Sequence, residues 1–371
     1  MTMSEPPRPS PFHAGEAAVQ SRAGVREKME PAGQRMIRDA MPAQHRELFG
    51  KLPTILVGSL DAQRRPWASM LAGPPGFITT PDERTLRIAA RPHTADPLAF
   101  QLALGAPLGL LGLEPQTRRR NRVNGTLIEL DAGGFSVGVD QSFGNCPQYI
   151  QAREPQSVAS NAIDRMRPGE RLGSRLSDGA RTLIGNADTL FIASASPNAR
   201  GRGGADGVDV SHRGGKPGFV HIGNDRESGR TLLTIPDFRG NNMFNTLGNI
   251  AAHPHAGLLF VDYDNGDLLQ LTGSAQLVWD GDELRSFTGA LRLLRVAVDD
   301  ALWRPGALPL RWSAAQYAAQ LGETGTWHRA GRPLISWAAP SRARRADRRR
   351  VNAAPAGAAC QPSPTTSPPL T

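Results

Sequence analysis

Five short stretches of the 371-residue chain recur, in the same order, further along it. TILVGS at 54–59 returns as TLFIAS at 189–194, and GPPGFI at 73–78 as GKPGFV at 215–220. Thr85-Leu86 returns as Thr231-Leu232, GLLGL at 109–113 as GLLFV at 257–261, and VNGTLIEL at 123–130 as LTGSAQLV at 271–278. The offset grows through 135, 142, 146 and 148, as it does when loops lengthen between matched strands. Two all-β domains sharing Gly/Pro turn chemistry would explain any one match, but five in one order point to a repeated unit.

The repeated stretches are short, apolar and bounded by Pro, Gly and Asp, which is the texture of strands. The chain is expected to be mainly β, with two copies of one small domain at roughly 45–150 and 186–285, each of roughly five to seven strands. Two copies in one chain make a pseudo-dimer, and a ligand site at one of its two equivalent interfaces is free to decay or specialise. Residues 1–44 read as a Pro-rich arm and one or two helices, broken at Pro31 and Pro42. The first copy then fills 45–152, a linker and helix 153–185, and the second copy 186–327. Residues 328–371 form a basic, Pro/Ala-rich tail expected to be disordered.

The net charge of +9 suggests a nucleic-acid partner until it is located. Residues 328–371 hold eight arginines against Asp347 alone, so the body carries only +2. Nucleic acid is therefore not an expected partner, although a tail-mediated contact would be salt-sensitive. The longest apolar run, Leu102–Leu113, is interrupted by Gly105, Pro107, Gly109 and Gly112, so no membrane helix is expected. Two cysteines, Cys146 and Cys360, do not make a disulfide framework or a cysteine-built metal site. No HExxH spacing or Walker loop is present, and no metal site is expected. A cytoplasmic location is the default expectation.

Three segments concentrate polar side chains. TRRRNRVNG puts Arg118, Arg120 and Arg122 on one face of a strand, whereas its counterpart GDLLQLTG has Gln270 opposite Arg122. Those arginines suit either phosphate recognition or the protection of an edge strand. DVSHRGGKPGF carries Asp209, Ser211, His212, Arg213 and Lys216. IPDFRGNNMFNTLGNI reads as a strand end, a turn at Gly240 and a helix that Asn241 or Asn242 could cap. Its amides, helped by Arg239, make either an anion site or ordinary capping. Cys146 in QSFGNCPQYIQAR lacks a His/Asp constellation, and a buried, inert thiol is expected.

The succession PGFV, LTIPDFRGNN, NTLGNI, HP, GLLF and LTGSA resembles the pyridoxamine 5′-phosphate oxidase-like family of FMN-binding split barrels. FHAGE at 12–16, RRRNRVNG and GNCPQYI at 144–150 resemble its tandem-barrel branch, and the likeness spans residues 12–327. It implies two fused split β-barrels forming a pseudo-dimer with flanking helices, in a monomer or a homodimer. It also implies FMN between the barrels, with deazaflavin or haem as alternatives. The cofactor-binding residues it implies are Ser211 and Arg213 from the Gly-Pro strand, and Arg239, Asn241, Asn242, Asn245 and Thr246 from the helix start. Gln270 would come from the next strand, and Arg120 and Arg122 from the partner copy. The implied activity is redox chemistry on a small molecule, fed by a reduced nicotinamide or by substrate, with no side chain as covalent catalyst. The alternative is a flavin- or haem-binding module in storage or sensing. Two departures matter: Asn and Thr stand where the vitamin-salvage oxidase has its Ser-Arg-Lys run, and the C-terminal Trp and Arg segment that grips pyridoxal phosphate is missing.

Overall fold

A computed structural model describes residues 9–158, 168–199 and 204–327, so the start of the Pro-rich arm, part of the linker and the basic tail lie outside the described residues. The first half runs α1 (Ala14–Arg22), α2 (Arg26–Met36) and α3 (Ala43–Lys51), then seven strands. These are β1 (Thr54–Leu60), β2 (Pro66–Ala72), β3 (Ile78–Asp82), β4 (Thr85–Ile88), β5 (Pro107–Glu114), β6 (Arg119–Asp131) and β7 (Gly134–Gly144). Next come β8 (Pro155–Ser157), β9 (Glu170–Arg171) and α4 (Asp178–Asn186). The second half runs β10 (Thr189–Ala195), β11 (Val208–Gly214), β12 (His221–Asn224), β13 (Thr231–Asp237), α5 (Asn245–Ala252), β14 (His255–Val261) and β15 (Leu268–Val278). It ends with α6 (Asp282–Arg285), β16 (Arg292–Arg304) and β17 (Leu310–Trp312).

The fold is mainly β, with two large antiparallel sheets, neither of them closed. Their strand orders are β2-β1-β5-β6-β7-β4-β3 and β11-β10-β14-β15-β16-β13-β12, the same path element for element. Strand β9 pairs with β16, and β17 with β8. The ladders agree in register: Leu56 faces Leu111 in the first sheet and Phe191 faces Leu259 in the second. Both sheets slip at the same equivalent place, between Asn124 and Gly125 and between Thr272 and Gly273, and the first slips again between Leu127 and Glu129 and between Thr79 and Asp82. A Cβ on Gly125 would stand 2.0 Å from the Gly138 carbonyl oxygen, and one on Gly273 2.2 Å from that of Ala297, so both bulges require glycine. One sequence match is displaced. Leu86 faces Val137 and Leu233 faces Val296, so Leu86 corresponds to Leu233 rather than Leu232.

Each sheet wraps its own apolar core, the first around Ile55, Val57, Leu110 and Phe135, the second around Ile192, Leu258, Phe260 and Val296. A third core, including Leu56, Met70, Leu111, Phe191, Val210 and Leu259, lies between the sheets. This explains why β1 and β10 read as continuous apolar runs: both of their faces are buried. Backbone crosses backbone closely here, since a Cβ on Gly109 would be 2.4 Å from the Val208 carbonyl oxygen and one on Gly257 2.4 Å from that of Pro66.

The N-terminal segment forms three helices rather than one or two. Pro42 precedes α3 as its N-cap, but Pro31 sits inside α2 without ending it. Proline there removes one helical donor, while Gly33 of α2 packs against Phe12 so closely that a Cβ would lie 2.4 Å from the ring.

Candidate functional site

Strand β6 is interior, paired with β5 and β7, so its arginines do not protect a sheet edge. The face carrying Arg120 and Arg122 meets β11 of the other sheet, the loop after β7, and the 236–247 segment that leads into α5. Together these form a cleft. Nine of the ten expected residues line it: Arg120, Arg122, Ser211, Arg213, Arg239, Asn241, Asn242, Asn245 and Thr246. The room inside is about 110 Å³, and Arg239 and Gly240 at its rim are exposed.

Arg118 is not part of it. Its backbone is left-handed at φ 55°, and its guanidinium donates to the carbonyls of Ile150 and Gln316, tying down loops. The loop into α5 also differs from expectation. The helix begins at Asn245, and neither Asn241 nor Asn242 caps it. Asn241 Oδ1 instead accepts from the Met243 amide at 3.2 Å, while Asn242 and Phe244 take left-handed φ values of 60° and 61°. Two such residues in one short loop hold it in a specific strained shape.

Five arginines line the cleft, Arg120, Arg122, Arg213, Arg239 and Arg292, against Asp237 alone. Arg122 is 3% exposed and donates to Asp209 Oδ1 at 2.8 Å and to Ser211 Oγ, with its Nε left without a partner. Thr246 Oγ1 lies 3.1 Å from the same Ser211 hydroxyl. Arg213 pairs with Asp237 Oδ1, and Arg292 Nε donates to Asp237 Oδ2 at 2.9 Å. Arg120 finds only carbonyl oxygens, of Cys146 at 2.9 Å and His212 at 3.3 Å. Burial and the neighbouring Arg122 push its pKa down to about 10, which still leaves it charged at neutral pH. His212 is held well below its ordinary pKa by burial and by Arg120 and Arg213, so its ring is neutral, and its Nδ1 is unpartnered.

A buried guanidinium without a carboxylate, beside an Arg122 Nε and an Asn145 Nδ2 that also lack partners, gives the cleft the donors an anion site needs. That donor set fits a phosphate group. Cys146 borders the cleft as a free, partly exposed thiol rather than a buried one. Tyr149, Phe238 and Phe244 supply aromatic wall, with Tyr149 and Phe238 centred 5.2 Å apart.

Sequence reasoning left Arg292 out because nothing local marks it; it enters only through the ladder that sets it opposite Asp237. Gln270 lies elsewhere. Its Nε2 donates to the Ala68 carbonyl and the Ser69 hydroxyl, each at 3.0 Å. Ser69 faces Val57 as Ser211 faces Ile192, and Gln270 faces Leu259 as Arg122 faces Leu111. Gln270 therefore occupies, beneath a second cleft, the position that Arg122 holds in the first. His253 and His255 stack with centroids 4.9 Å apart, and no group of three metal-ligating residues occurs among the described residues.

No family model matches the chain, and neither does any curated protein. Solved structures give partial likenesses. HupZ of Group A Streptococcus is 11% identical over 34% of this chain and 91% of its own, with a TM-score of 0.26. The haem storage protein HutZ of Vibrio cholerae is 14% identical over 35% and 95%, at 0.23. A pyridoxamine 5′-phosphate oxidase-related, FMN-binding protein of Nostoc punctiforme is 12% identical over 39% and 99%, at 0.24. Scores this low carry no argument about this chain. Among the described residues, no helix is long and apolar enough to cross a membrane.

Proposed function

We propose that this chain is an FMN-binding oxidoreductase built from two fused split barrels, residues 45–152 and 186–327, forming a pseudo-dimer. The observation that carries the reading is the convergence of nine of the ten implied cofactor-binding residues on one arginine-rich cleft between the sheets. Arg120, Arg122 and Arg213 would hold the phosphate, with Ser211 and Thr246 as hydroxyl partners and Arg239 at the rim. Bound FMN would supply two-electron transfer between a nicotinamide and a small-molecule substrate. The protein's part is to bind, orient and exclude water; Tyr149 and Phe238 offer aromatic surface for that.

A second reading, a haem- or flavin-binding module without turnover, rests on His212, a neutral imidazole lining the cleft, since a neutral imidazole is an axial ligand of haem iron. The absorption spectrum of the purified full chain, followed by FMN titration and by reduction with NADH or NADPH, tests both. Flavin bands bleached by a nicotinamide support the oxidoreductase. Haem bands, or flavin that no nicotinamide can reduce, support the module. A purified chain with neither colour nor any affinity for FMN would sink the flavin reading.

A further inference from the structure

The second cleft has lost the groups that make the first an anion site, yet it has not filled in. Its room is about 510 Å³, against about 110 Å³ in the first, and falls in the range of small-molecule sites. Leu71 stands where the first cleft has Arg213, Met70 where it has His212, and Gln270 where it has Arg122. Two arginines, one histidine and one aspartate line it, Arg91, Arg304, His93 and Asp96, and much of the remaining wall is Leu, Met, Ala and Pro. A dianionic phosphate has no cluster of cations there.

One charged group in its wall has donors to spare. Arg304 is 8% exposed, and its Nη1 donates to Asp96 Oδ2. Asp96 Oδ1 is already occupied: it accepts from Ser69 Oγ at 2.6 Å, the Leu98 amide at 3.0 Å and Gln270 Nε2 at 3.3 Å. A guanidinium has five N–H donors, and among the described residues no other partner is found for those of Arg304. The buried pair therefore still offers donors and a positive end to the cavity.

We propose that the second cleft binds a small carboxylic acid with an apolar body, its carboxylate on Arg304 and its body against Met70, Leu71 and Leu308. A carboxylate matches the paired donors of a guanidinium, and the apolar body removes water from the Leu, Met and Pro walls. The inference goes beyond the flavin reading and holds whether or not the first cleft takes FMN.

The test is calorimetric titration of the full chain with octanoate, with octanol and octyl phosphate as comparators. One octanoate should bind per chain, with both comparators weaker by about tenfold or more, the step expected of a buried charged hydrogen bond. Arg304→Gln should weaken octanoate by about the same factor. Because that change strips Asp96 of its cation and can unfold the chain, Ala307→Trp serves as a second variant. It blocks the cavity without touching the pair, and it should abolish octanoate binding while leaving circular dichroism and FMN titration as in the parent. The double variant Arg122→Gln, Asp209→Asn, which removes the first cleft's buried ion pair without stranding a charge, should leave octanoate binding unchanged. The proposal is overturned if octanoate gives no binding at millimolar concentration or octanol binds as tightly. It is equally overturned if Ala307→Trp binds octanoate normally, or if the double variant Arg122→Gln, Asp209→Asn melts like the parent and no longer binds octanoate.

Discussion

Beneath the first cleft, polar residues link into a chain. Asp209 accepts from Arg122 at 2.8 Å, Asn124 at 2.6 Å and Asn249 at 2.9 Å. Asn249 Oδ1 lies 2.8 Å from His13 Nε2, and Glu16 accepts from the His13 amide at 2.8 Å and from the Asn245 side chain. Glu16 is 3% exposed, and burial, with the Asp209 charge adding to it, raises its pKa from 4.5 to about 8. It is therefore neutral at pH 7. The sign follows from proton binding: between pH 4.5 and about 8 the folded chain holds a proton that the unfolded chain has released, so stability falls as pH rises through that window. Glu16→Gln keeps the shape and removes the titration. Melting temperatures of the two proteins should diverge with rising pH, the variant gaining on the order of a few kcal/mol by pH 8. A gap that does not change with pH would show that Glu16 is ionised in the fold.

The same contact can be weighed at the scale of the helices. Helix α1 lies on α5 through two glycines: a Cβ on Gly15 would be 2.4 Å from the Gly248 carbonyl oxygen, and one on Gly248 2.5 Å from Glu16 Cα. In an isolated helix Gly→Ala would stabilise by about 1 kcal/mol. Here backbone stands in the way, and overpacking costs about 1–3 kcal/mol, so the steric term wins. Gly248→Ala should lower the melting temperature and, by shifting α5 and Thr246, weaken FMN binding with it. Gly185→Ala in α4, where nothing lies within 4 Å, should instead stabilise. The helix itself was legible, because NTLGNI has helical texture, but its start was not. Asn241 and Asn242 look like caps in sequence, yet the chain delays the helix to Asn245 with two left-handed residues. Nothing in FHAGE reveals a contact with residues 236 positions away in the chain, such as that of His13 with Asn249.

Across the whole molecule, the strand paths could be anticipated because each repeated stretch falls in or beside a strand whose neighbours fix its composition. Contacts between sheets could not, since they depend on register and on which strand crosses which. Gln270 shows the limit. Its alignment with Arg122 was visible, but alignment places it beneath the equivalent cleft, not at the same one. The asymmetry has a measurable consequence. Arg122, Arg120 and Arg213 all belong to the first cleft, while their counterparts at the second are apolar or neutral, so FMN should saturate at one per chain rather than two. Arg122→Gln should reduce that affinity by about tenfold or more. Alone it strands Asp209, a burial cost of about 3–5 kcal/mol, so the double variant Arg122→Gln, Asp209→Asn separates loss of folding from loss of binding. A double variant that melts like the parent yet no longer binds FMN places the phosphate on Arg122. Two FMN per chain in the parent would mean that the apolar second cleft accepts a phosphate without the cations that the first one uses.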